Sequence, residues 1–183
     1  MNHPASPFHY FRGYRLLVLI IVTFAYGLWF TQFGPYATLS TINPGLPLES
    51  RLFYTGQKAA MILDSLDLYG RKIKYMSLMW DIPFIILNGL MMEGMFAFAI
   101  RRIPLRSPAW NYLFILPILY VGFDVLENSF LALTLATGSV LAGSLASLCT
   151  FMKMMTYTGT ATLALVLTLL GLAIWGFRYL ART

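Results

Sequence analysis

The chain has 183 residues, of which 58% are hydrophobic and only 11% charged. Ordinary soluble domains carry roughly 25% charged residues, so a water-soluble globule is excluded and an integral membrane protein is indicated. The net charge of +6 is the balance of thirteen Lys and Arg against seven Asp and Glu residues. The Lys and Arg residues lie mostly in membrane-flanking segments rather than in a basic patch with interleaved aromatics, so they read as topology signals and not as a nucleic-acid footprint.

The fold predicted is an all-α, four-transmembrane-helix bundle forming a single membrane domain over the whole chain. The first apolar run, 16–36, is long enough for the ~30 Å hydrocarbon core at 1.5 Å per residue. It exceeds a usual signal-peptide core and is followed by no A-x-A cleavage signature, so it reads as an uncleaved anchor. From 39 to 77 the chain is more polar. Asn43-Pro44-Gly45 and Pro47 predict a turn, and 49–68 an amphipathic helix that lies at the interface or caps the bundle. Gly70 is expected to end that helix, with Arg71-Lys72-Ile73-Lys74 leading into the second span, 76–100. Arg101-Arg102 stops that span. Pro104 and Pro108 mark a short loop before the third span, 110–136, with a kink expected at Pro117. Gly138-Ser139 and Gly143-Ser144 form an uncharged connection to the fourth, 145–180.

Arg12, Arg15, Arg101, Arg102, Arg106, Arg178 and Arg182 fall on one side of this arrangement, which predicts both termini in the cytoplasm. Arg51, Lys58, Arg71, Lys72 and Lys74 lie in the long first loop and count the other way.

Four of the seven carboxylates, Asp81, Glu93, Asp124 and Glu127, fall inside or at the edge of the spans. A lone ionised group at mid-bilayer costs at least ~2.5 to 3.5 kcal/mol, which calls for a cation, a proton or a wet cavity beside it. Tyr120, Asp124, Glu127, Asn128 and Leu131 share one helical face through their i, i+4, i+7, i+8, i+11 spacing. Asp81, Ile85, Asn88 and Met92 form a stripe on the second span. Glu93 is offset from Asn88 by five residues, about 140° around the helix at 3.6 residues per turn, and faces a different neighbour. Lys153 with Tyr157 on the fourth span, Gln32 at the outer end of the first and Trp80 as an interfacial anchor complete the set. A structural polar core, with Lys153 paired to Asp81 or Glu127, is the plain alternative. Against it, one lysine cannot neutralise four carboxylates.

Asp124 and Glu127 beside a lysine suit acid/base chemistry, with Asp81 and Asn88 positioning and Lys153 supplying positive charge. Asn128, Tyr120, Tyr157, Trp80, Gln32, Arg71 and Glu93 are candidates to bind the substrate. No cofactor is predicted, and an all-carboxylate site without histidine leaves Mg²⁺ or Ca²⁺ open. His3 and His9 both lie in the N-terminal tail, which excludes an HExxH zinc site. The single Cys149 excludes a disulfide framework or CxxC pair, and no GxSxG elbow supports serine hydrolysis. Asp64 and Asp67 read as a solvated helix face.

The segment LDLYGRKIKYMSLMWDIP at 66–83, with FDVLENSFL at 123–131, resembles a loosely defined, mostly bacterial group of uncharacterised four-helix membrane proteins. That group shares an LGxxGRxxY segment leading to an intramembrane aspartate, and a later DxxEN motif. The resemblance covers about half of the chain and singles out Gly70, Arg71, Tyr75, Asp81, Asp124, Glu127 and Asn128. It implies the four-helix architecture and carries no activity. The leading functional expectation is an intramembrane enzyme acting on a lipid or isoprenoid-like substrate. A non-catalytic module binding a hydrophobic ligand or partner helix, and proton or ion translocation by a homo-oligomer, are the alternatives.

Overall fold

The computed structural model describes residues 13–42, 48, 51–103 and 108–181, and no strand occurs among them. In chain order the helices are α1 (Tyr14–Gln32), α2 (Pro35–Ile42), α3 (Gly56–Asp64), α4 (Leu68–Arg102), α5 (Ile115–Thr137) and α6 (Val140–Leu180), with a 3₁₀ helix over Pro108–Phe114. Four stretches are long and apolar enough to cross a membrane: Tyr14–Ile42, Leu68–Arg102, Trp110–Thr137 and Val140–Leu180. The expected all-α bundle with an extra helix in the first connection is therefore observed. The turn expected over 43–47, His3, His9, Arg12, Pro104, Arg106 and Arg182 lie outside the described residues.

Several boundaries differ from those expected, each for a local reason. The first span is two helices. The amides of Phe33 and Gly34 both donate to Trp29 O, at 2.9 and 2.8 Å, closing α1. Pro35 then opens α2 at the first helical position, where its missing N–H costs nothing. The amphipathic helix is shorter than 49–68 because Thr55 caps it, accepting from Lys58 N at 3.2 Å. It caps the bundle rather than lying apart. Ala59, Leu63 and neighbouring Leu66 pack with Leu78, Leu131, Leu135 and Ala146.

Gly70 does not end that helix. Asp67 accepts from Gly70 N at 2.7 Å and starts α4 eight residues earlier than expected, which draws Arg71 to Lys74 into its first two turns. The fourth span likewise starts at Val140 because Ser139 caps it, accepting from Ala142 N. Gly143 thus lies inside α6, where a Cβ would come within 2.8 Å of Gly56 O. This glycine pair lets the α3 and α6 backbones approach closely.

Pro117 is the position of the expected kink. It sits in the first turn of α5, where no earlier carbonyl of the same α-helix waits for its N–H. Among the described residues, the proline deep in a helix interior is Pro83 of α4. In the turn it disturbs, Trp80 O accepts from Tyr26 OH of α1 at 2.7 Å, which couples the two helices where the backbone ladder is weakened. Trp29 and Trp80 meet edge-on beside it, with ring centroids 5.4 Å apart. Helix α6 is the hub, packing on α3, α4 and α5, whereas α1 packs on α4 and α2 and leaves a broad apolar face outward.

Candidate functional site

The face predicted on the third span is the buried one: Tyr120, Asp124, Glu127, Asn128 and Leu131 all point inward from α5. Across from it, α6 presents Ser147, Thr150, Lys153 and Thr160, also buried and spaced so as to form one stripe. The two stripes interlock. Lys153 Nζ lies 3.0 Å from Asp124 Oδ1 and is also ion-paired with Glu127 Oε2. The other Glu127 oxygen accepts from Thr150 Oγ1 at 2.6 Å. Tyr54 OH lies 3.2 Å from the same hydroxyl, and Tyr54 N donates to Ser147 Oγ at 3.0 Å. The segment entering α3 is thereby tied to the buried cluster. One ammonium shared by two carboxylates, with hydroxyls on the remaining lone pairs, is how a low-dielectric interior holds such charges without prohibitive cost.

Asp81 approaches from α4 and accepts from Asn128 Nδ2 at 2.9 Å. Asn128 Oδ1 is buried with no hydrogen-bond partner among the described residues. Beside this cluster is a cavity of about 270 Å³. Asp81, Asp124 and Lys153 supply its charged wall, Ser77, Thr31 and the hydroxyls of Tyr36, Tyr120 and Tyr157 further polarity, and Phe30, Phe84 and Met154 its apolar lining. Tyr120 and Tyr157 pack together there with centroids 5.2 Å apart.

The two carboxylates of the predicted acid/base pair thus occupy different environments. Asp124 borders the cavity, but Glu127 does not, and it is fully buried behind Thr150 and Lys153. Asn88 borders an adjoining cavity of about 230 Å³ that shares Thr31, Phe84 and Tyr157 with the first. Its own amide donates to Phe84 O, one turn back on α4.

The remaining predicted residues are placed elsewhere. Trp80 packs against Trp29 on the outer surface, and Gln32 is exposed at the end of α1. Arg71 is a clamp at the end of the bundle, donating to Leu66 O, Asp64 O and Leu135 O and forming a 2.7 Å ion pair with Asp64. Glu93 lies in a separate crevice between α4 and α5.

Sequence reasoning passed over Thr150, Tyr54, Ser77 and Lys74. Lys74 is fully buried and shares a face of α4 with Ser77 and Asp81 through i, i+3, i+7 spacing. That stripe is visible once Asp67 is taken as the helix cap. Among the described residues, no group of three or more His, Cys, Asp or Glu side chains gathers as a metal site. The carboxylate pair for which Mg²⁺ or Ca²⁺ is left open shares the ammonium of Lys153.

Fold and site define a multi-pass α-helical membrane protein with a buried charged cluster beside a cavity. No protein-family model matches the chain, and comparison with curated proteins and with solved structures finds no match. The chain reads Gly-Arg-Lys-Ile-Lys-Tyr at 70–75, one residue longer between arginine and tyrosine than the GRxxY pattern. The resemblance therefore assigns no residue a role.

Proposed function

We propose that the bundle binds an amphiphilic, lipid-soluble molecule, of the isoprenoid-like kind, in the cavity between α1, α4, α5 and α6. Its polar end is taken by Asp81, Asp124 and Lys153, and its chain lies among Phe30, Phe84, Met154 and Tyr157. The observation that carries this reading is that charged and aromatic side chains line one cavity of about 270 Å³. Pockets for amphiphiles combine mostly apolar walls with a few convergent polar groups. Both termini are assigned to the cytoplasm. The burial of Lys74 within α4 supports this, because it removes one charge from the count on the opposite side.

Acid–base catalysis on the bound molecule is the second reading. It is favoured by the unequal environments of Asp124 and Glu127 around one lysine. In this scheme Asp124 exchanges a proton with the substrate, Lys153 holds the positive charge beside it, and Glu127 serves as the sealed counter-ion.

Native mass spectrometry of protein extracted in mild detergent tests both. Wild-type protein should carry a defined amphiphile that Asp81→Asn, with unchanged helix content, no longer retains. Wild-type protein that emerges empty from a lipid-rich preparation would sink the binding reading. Conversion of the carried molecule over time, abolished in Asp124→Asn, would establish catalysis.

A further inference from the structure

Glu93 stands apart from the charged cluster. It is only 8% exposed, yet its carboxyl group has no hydrogen-bond or ion-pair partner among the described residues. It borders a crevice of about 220 Å³ whose other walls are Ile86, Gly89, Leu90, Pro117, Ile118 and Val121, with no second polar side chain. Ile86, Leu90 and Ile118 are exposed on the apolar outer surface, so the crevice opens toward the hydrocarbon. Glu93 precedes Arg102 by nine residues, which puts it about 13 Å along the helix from the arginine pair that ends α4. That is near the middle of a ~30 Å hydrocarbon layer, where an acidic group without a partner is costly and marks a ligand or ion pathway.

We propose that this crevice is a second ligand site, independent of the cavity by Asp81, and that it takes the head group of a lipid-soluble aliphatic ammonium. A cation supplies what the crevice lacks, and the exposed rim of Ile86, Leu90 and Ile118 lets an alkyl tail lie outward along the bundle. A second copy of this chain does not fit the role. The lysines deeper in its spans, Lys74 and Lys153, are both buried and offer no cation to this face.

The test uses the full-length protein in nanodiscs, titrated with a tail-labelled fluorescent long-chain alkylamine and with the uncharged alcohol of the same length. Wild-type protein should bind the ammonium about tenfold or more tightly than the alcohol. Glu93→Gln should remove that preference while leaving alcohol binding and helix content unchanged. Ile118→Trp, which crowds the rim without touching the charge, should weaken both probes. Asp81→Asn should leave the ammonium preference intact, which separates this site from the cavity. Equal affinity of wild type and Glu93→Gln for the ammonium, or equal affinity of wild type for the two probes, would overturn the proposal. Loss of the preference in Asp81→Asn but not in Glu93→Gln would also overturn it.

Discussion

The ion cluster makes a quantitative prediction through Lys153→Met. Methionine keeps the length and apolar contacts of the lysine stem, so the change isolates the charge. In the wild type, one ammonium answers both Asp124 and Glu127, and its side chain is only 11% exposed. Its removal leaves two carboxylates facing each other at the α5–α6 interface. Breaking a buried pair in this way costs about 3 to 5 kcal/mol, because the remaining charge is uncompensated. An ordinary polar contact between membrane helices averages only ~0.6 kcal/mol. The two cases are separable by reversible unfolding of the purified protein in mixed micelles, followed by helix content. The double variant Lys153→Met/Glu127→Gln then removes the fully sealed charge. It should recover about half of the loss or more, as coupling between contacting groups requires. A cost for Lys153→Met near that of an ordinary contact, or a double variant no more stable than the single one, would refute the account of the cluster as a buried charge-balanced unit.

Two further substitutions probe the surrounding packing. Thr150→Val removes the hydroxyl that donates to Glu127 Oε1 at 2.6 Å and lies near Tyr54 OH, and it should cost about 1.5 to 3 kcal/mol in the same unfolding assay. Gly56→Ala would press a methyl group onto Val140 O and the Ser144 backbone. It should destabilise the protein by about 1 to 3 kcal/mol. Gly122→Ala on α5 meets nothing within 4 Å and should be neutral or slightly stabilising, which serves as the control.

The sequence by itself determined the class of fold and one half of the site. Apolar runs of membrane length forced helices, since only a helix or a closed barrel satisfies its own backbone in hydrocarbon. The 3.6-residue period put Tyr120, Asp124, Glu127 and Asn128 on one inward face, and the five-residue offset set Glu93 on another. The break at Gly34-Pro35 and the caps at Asp67 and Ser139 were legible as residue types. Length and hydropathy do not register such caps, so they place the start of the second span at 76, whereas Asp67 starts α4 at Leu68 and brings Lys74 inside it.

Only the tertiary structure decided which faces meet. Periodicity fixes the direction a side chain takes from its own helix and says nothing about the partner opposite. The choice of Asp124 and Glu127 as the two partners of Lys153, of Asp81 as the partner of Asn128, and of Arg71 as a clamp on Leu135 O therefore came from packing. So did the division between Asp124 at the cavity and Glu127 sealed behind Thr150. Two carboxylates one turn apart look alike in a sequence, and they differ here because Thr150 and Lys153 of α6 close over one and leave the other at the edge of open space.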